Sequence, residues 1–205
     1  MEKFIIKGGK KLQGTMSASG AKNIAPKALL AACLTAEEVT IHNFPMISDF
    51  LIMTEVVKEL GGEVKLNGHS MTIKMGDFKT SKVTLERAAE IRSSVMFIAP
   101  LLARTGNAIV PNPGGCRIGA RPIDRTIDGL MSLGADIAYH SEDGYYHGKT
   151  EGLQGTTYSF EKNTHTGTET LLIAAVLAKG KTVLQNAAQE PEIDELIRLL
   201  NQMGA

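Results

Sequence analysis

Neither sign of charge dominates this 205-residue chain: Lys plus Arg and Asp plus Glu each number 22, so the formal net charge is zero. A chain with no positive excess has no global field to gather nucleic acid or an anionic membrane surface, and any anion it binds must be held by local groups. Long apolar runs are also missing. The longest, Ala28 to Leu34, is far shorter than the roughly 20 residues a spanning helix needs, and the opening Met1-Glu2-Lys3-Phe4-Ile5-Ile6-Lys7-Gly8-Gly9 has no signal-like apolar stretch. Cysteine is scarce. Cys33 lies in an Ala/Leu run and Cys116 in a glycine-rich one, which excludes a disulfide framework and fits a reducing compartment. The expectation is a cytoplasmic globular protein with no nucleic-acid or membrane partner. With 43% apolar residues it can bury the core of one large domain or two small ones.

Familiar cofactor and metal signatures are lacking too. No segment is a Walker loop or a dinucleotide fingerprint, and His42, His69, His140, His147 and His165 show no metal-ligand spacing and no partnership with Cys116. No cofactor and no catalytic metal are expected.

What is present is a repeat. A small-residue apolar helix leads to a strand ending in Asn, and then to an amphipathic helix closed by Gly. The strand-end residues are Asn43, Asn112 and Asn186 and the closing glycines Gly61, Gly134 and Gly204, a period of about 70 residues. Met53, Val56, Val57 and Leu60 fall at helical spacing, as do Ile123, Ile127, Leu130 and Met131, and Ile193, Leu196, Ile197 and Leu200. Pro122 and Pro191 suit a first turn, and Ser48 suits an N-cap. Hairpins are expected at Val64–Leu66 turning through Asn67-Gly68 into Met71–Met75, and at Asp136–His140 turning near Asp143-Gly144. The third copy stops at Met203-Gly204-Ala205, where the others enter a hairpin, so a longer natural chain is expected. Leu12-Gln13-Gly14-Thr15 echoes Leu153-Gln154-Gly155-Thr156, and a strand is expected after each. Three such α/β units can pack their apolar helices inside and their sheets outside, although sequence alone also permits a conventional layered arrangement.

Each copy carries a cation near the start of its first helix, where unpaired N–H groups and the helix dipole favour anions. Lys22-Asn23 follows Ser19-Gly20, Arg92 precedes Ser93-Ser94, and Lys162 precedes Thr166-Gly167-Thr168. Any one alone reads as well as a solvated side chain; three together suggest phosphate cradles in which small residues admit the anion to the backbone. The segment Asn112-Pro113-Gly114-Gly115-Cys116-Arg117-Ile118-Gly119-Ala120-Arg121-Pro122-Ile123-Asp124 reads as a mobile loop in which Arg117 and Arg121 favour the Cys116 thiolate. A lone loop cysteine is also consistent with an incidental thiol, and Asp124 with simple complementation of a helix dipole. Cys33, on a face with Leu29, Leu30 and Leu34, reads as core.

Ser19-Gly20-Ala21-Lys22-Asn23, the Pro113–Asp124 segment, and Asn186-Ala187-Ala188 followed by Glu190-Pro191-Glu192-Ile193 resemble, in order along the whole chain, the UDP-N-acetylglucosamine 1-carboxyvinyltransferase family. The resemblance implies an inside-out α/β barrel: two domains of three βαβαββ units each, the third unit here truncated. Residues 1–20 would be an N-terminal strand segment packing with the second domain, and 21–205 a first domain incomplete at its C-terminal end, with that second domain as missing partner. It further implies transfer of the enolpyruvyl group of phosphoenolpyruvate to UDP-N-acetylglucosamine. Lys22 and Asn23 would hold phosphoenolpyruvate. Arg92, the segment Arg121, Pro122, Ile123, Asp124 and Arg125, and the segment Lys162, Asn163, Thr164 and His165 would bind the UDP-sugar. Cys116 would protonate the enol methylene and be the thiol attacked by the epoxide fosfomycin. Shikimate-type enolpyruvyl transfer, or a non-catalytic UDP-sugar-binding fragment, are the alternatives.

Overall fold

The computed structural model describes residues 3–84, 86, 91–113 and 123–205. Its centre is made of helices. In α1 (Ala25–Ala32) every residue is buried, Pro26 occupying the first turn, where its missing N–H costs nothing. A 3-10 turn, Arg92–Phe97, feeds α3 (Ile98–Thr105), which buries Ile98 to Leu102 and ends at Gly106, φ 70°. Helix α5 (His165–Ala175) is capped by Thr164, whose hydroxyl accepts from the Gly167 N–H at 3.3 Å. Ala, Gly and Leu on these helices allow close approach, and each fully buried leucine such as Leu29, Leu101 or Leu171 contributes about 1.5–3 kcal/mol.

The amphipathic helices α2 (Ser48–Glu59), α4 (Asp124–Ser132) and α6 (Pro191–Gln202) pack against this centre, α2 and α6 on α1, α4 and α6 on α5. All three end alike. Gly61, Gly134 and Gly204 have φ of 107°, 90° and 101°. Their N–H groups bond Lys58, Met131 and Asn201 at 2.9–3.1 Å, while the next N–H in each case, of Gly62, Ala135 or Ala205, reaches back to Val57, Leu130 or Leu200. This is the Schellman cap, which needs a left-handed residue that glycine adopts without a Cβ penalty.

Three small sheets clothe the helices. Strand β1 (Glu38–His42) and β2 (Glu63–Asn67) flank β3 (Ser70–Lys74); β4 (Asn107–Pro111) and β5 (Asp136–His140) flank β6 (Tyr145–Lys149), all antiparallel. Register pairs Asn67 with Ser70 around Gly68, φ 56°, as the Asn-Gly signal requires. Strands β7 (Thr157–Ser159) and β8 (Val183–Gln185) run parallel, and the Lys82–Ile109 bridge is their counterpart in the second copy. Helices therefore lie inside and sheets outside, and the layered alternative does not describe the molecule. Asn43 and Asn186 leave their strands at φ 54° and 50°, the left-handed conformation that asparagine tolerates best after glycine.

Two expectations are corrected. No strand follows Leu12-Gln13-Gly14-Thr15: among the described residues, 3–19 run exposed and outside any strand, with Phe4, Ile6, Leu12 and Met16 each nearly nine-tenths exposed or more. Ser48 is the first helical residue rather than the N-cap; Ile47 occupies that place in extended conformation with no side-chain cap. Among the described residues no helix is long and apolar enough to cross a membrane.

Candidate functional site

The segment carrying Lys22 is laid directly against the exit of β1. The Gly20 N–H donates to the Asn43 carbonyl at 2.8 Å, and a Cβ on Gly20 would lie only 2.0 Å from that oxygen. Only glycine fits there. Lys22 emerges in the turn before α1, largely exposed, with its ammonium 3.1 Å from Asp49 Oδ2 at the start of α2. A cation held loosely by one exposed carboxylate remains free to take a stronger anion.

Next to it, Asn23 turns the other way. Its Nδ2 donates to Glu192 Oε1 at 3.0 Å, in the first turn of α6. That hydrogen bond, foremost among the causes, holds the Glu192 carboxyl below the usual glutamate range. Beneath the turn, Lys27 is nearly buried. Its Nζ donates to the Asn23 carbonyl at 2.5 Å and lies 3.2 Å from Oε2 of Glu169, whose side chain has no exposure at all. The other oxygen, Oε1, stands 3.4 Å from His165 Nε2. Burial pushes the Glu169 carboxyl up, and Lys27 and His165 pull it back.

The starts of α4 and α5 also meet. Thr126 Oγ1 lies 3.3 Å from where a Cβ on Gly167 would sit, and a Cβ on Gly129 would lie 2.3 Å from Leu171 Cδ1. Ile123 is buried and Asp124 exposed, while the Arg125 carbonyl accepts from the Tyr158 hydroxyl at 3.0 Å. Lys162 is exposed, and Asn163 borders a hollow of about 580 Å³ with Asn186, Gln189 and Glu190.

Four chain segments, 22–27, 123–126, 164–169 and 190–192, thus converge through named contacts on the N-terminal turns of α1, α4, α5 and α6. Asn23 and His165 are brought together through Lys27 and Glu169; Thr164 and Arg125 flank the neighbouring contact. Arg92 opens the 3-10 turn, and the next residue ties that turn to α2, Ser93 Oγ donating to Met53 Sδ at 3.3 Å. Cys116, Arg121 and Pro122 lie outside the described residues. Cys33 is core as expected, burial pushing its thiol up to about 12.

Asp49, Lys27, Glu169 and Glu192 escaped the sequence reading of the site. Lys27 and Glu169 did leave a signal: each is a single charge inside an Ala/Leu-rich helix, where an ionised side chain survives only if paired.

The family model of EPSP synthase (3-phosphoshikimate 1-carboxyvinyltransferase) matches residues 6–205. A UDP-N-acetylglucosamine 1-carboxyvinyltransferase of Acidobacterium capsulatum is 46% identical over all of this chain and 48% of its own length. One from Geobacter metallireducens is 44% identical, again over the whole chain and 49% of its own length, so the chain spans about half of these curated relatives. Among solved structures, the enolpyruvyl transferase NikO from Streptomyces tendae superposes with TM-score 0.82 at 20% identity, over 97% of this chain and 46% of that one. EPSP synthase from Acinetobacter baumannii gives 0.71 at 17% identity, over 90% of this chain and 43% of that one.

Proposed function

The chain belongs to the EPSP synthase family of carboxyvinyltransferases, and from that premise we propose that the protein it forms part of transfers the enolpyruvyl group of phosphoenolpyruvate to the 3-hydroxyl of UDP-N-acetylglucosamine. The sugar oxygen bonds to C2 of phosphoenolpyruvate while C3 takes a proton, giving a tetrahedral phosphate ketal; C3 then loses a proton, the C2–O bond to phosphate breaks, and the double bond returns. Lys22 and Asn23 hold phosphoenolpyruvate. Arg92, Arg121 to Arg125 and Lys162 to His165 hold the nucleotide sugar, and Cys116 delivers the proton to C3. The general base and further cations come from a second domain, against which the exposed apolar residues 3–20 pack.

The observation that carries this reading is the convergence of the 22–27, 123–126 and 164–169 segments on neighbouring helix N-termini, where backbone donors and cations can share two phosphorylated ligands. On this reading the protein works in the cytoplasm, at the first committed step of peptidoglycan precursor synthesis. With full-length protein, phosphate is released from phosphoenolpyruvate only when UDP-N-acetylglucosamine is present, shikimate 3-phosphate does not replace it, and Cys116→Ser slows the reaction and abolishes fosfomycin labelling. Phosphate release driven by shikimate 3-phosphate instead, or no release at all, refutes the reading.

A further inference from the structure

Lys27 and Glu169 form an ion pair between α1 and α5, and neither residue belongs to the substrate-binding set above. Their side chains are 10% and 0% exposed, and the ammonium and carboxylate approach to 3.2 Å. A buried pair of this kind adds little net stability, because removing two charges from water offsets most of their attraction; two apolar side chains of similar volume would pack at least as well. What apolar side chains cannot do is hold polar groups, and this pair holds two. Lys27 Nζ donates to the carbonyl of Asn23, the residue that ends the turn presenting Lys22, and Glu169 Oε1 faces Nε2 of His165 in the first turn of α5. Glu169 Oε2 meets the Lys27 ammonium as an ion pair and Oε1 faces His165 Nε2 at 3.4 Å, while neither Glu169 oxygen nor His165 Nε2 has a well-aligned hydrogen-bond partner among the described residues. From the same helix, Thr168 Oγ1 accepts the Ala188 N–H at 3.0 Å, fixing the chain that leads to Glu192 and hence to the Asn23 side chain. The Asn23 turn is therefore gripped from below by Lys27 and from the side by Glu192, and both grips are anchored on α5.

The geometry points to Lys27 and Glu169 as positioning residues that set the phosphoenolpyruvate turn at 22–23 against the nucleotide-sugar segment at 162–165. The inference rests on the function proposed above. Neither residue touches substrate; each acts through Asn23 or His165. The test uses the full-length protein with the double substitution Lys27→Met plus Glu169→Leu, which removes both charges while keeping volume, and separately Glu169→Gln. Melting temperature and steady-state kinetics in each substrate are measured. The expected result is a double variant that melts at or above the wild-type temperature, yet shows KM raised about tenfold for both phosphoenolpyruvate and UDP-N-acetylglucosamine with kcat changed less than about threefold. Glu169→Gln should show the same split. Both KM values within about twofold of wild type overturn the inference, leaving a pair that only fills the core. Collapse of both variants overturns it equally, because a positioning role requires a fold that survives the apolar exchange. A wild-type protein without sugar-dependent phosphate release sinks the functional reading itself, and is told apart by being seen before any substitution is made.

Discussion

Asn23 Nδ2 donates to Glu192 Oε1 at 3.0 Å, so a side chain preceding the first helix is held by one in the opening turn of the last, 169 positions away. That single bond ties the start of α6 to the turn before α1 at the candidate site. It also makes Glu192 a reporter of how the Asn23 turn is seated.

Removing the donor should therefore be visible as a titration. In the native chain the Glu192 carboxyl is depressed below 4.5, chiefly by Asn23. A depressed carboxylate stabilises the fold fully above its unfolded value and loses that contribution as pH falls through the native one. In Asn23→Ala, carboxyl-carbon NMR should show the Glu192 midpoint returning toward 4.5, and the stability difference from wild type should vanish on acidification. An unmoved midpoint would remove Asn23 as the cause.

Lys22 should separate stability from binding. Its pair with Asp49 is exposed, 67% and 43% by side chain, so Lys22→Ala should cost no more than about 1 kcal/mol in unfolding. A charge-assisted contact to a substrate phosphate is worth about 1.5–3 kcal/mol, so KM for phosphoenolpyruvate in the full-length protein should rise roughly ten- to a hundredfold. Equal KM in wild type and variant would deny Lys22 its role.

The two thiols should behave differently. Burial leaves Cys33 neutral, its thiol raised to about 12, and unreactive toward a disulfide reagent at about pH 8. At most one thiol should therefore react in the native chain and two after unfolding, and Cys116→Ser should abolish any native reaction. Native modification of Cys33, located by peptide mapping, would contradict its burial.

Gly20 should be intolerant for a reason unrelated to dihedral angle. In Gly20→Ala the new methyl meets the Asn43 carbonyl at 2.0 Å and forces out the hydrogen bond beside it, a loss of about 1–3 kcal/mol by denaturant unfolding. Gly8→Ala, with nothing within 4 Å, is the matched control and should be near neutral. Similar unfolding curves for the two variants would mean that the 19–23 segment is not seated on β1 in solution.

The sequence by itself determined whatever rests on short-range chemistry. Three glycines at matching positions specify three Schellman caps, Asn67-Gly68 specifies a hairpin, and Ala/Leu-rich stretches specify helices able to lie at the centre, because each signal needs only its near neighbours in the chain. Lys22 and Lys162 ahead of helix starts, and Arg92 opening one, were legible on the same grounds. Tertiary structure alone decided the partners: Lys22 with Asp49, Asn23 with Glu192, Lys27 with Glu169. Such pairs depend on how separate helices pack, within one copy for Lys22 and Asp49 and between the first and third copies for the other two, and their members leave no common spacing. The N-terminal stretch makes the same point from the opposite side. The family resemblance implies a strand there, but a strand exists only where another backbone supplies donors and acceptors, and among the described residues nothing does so for residues 3–19.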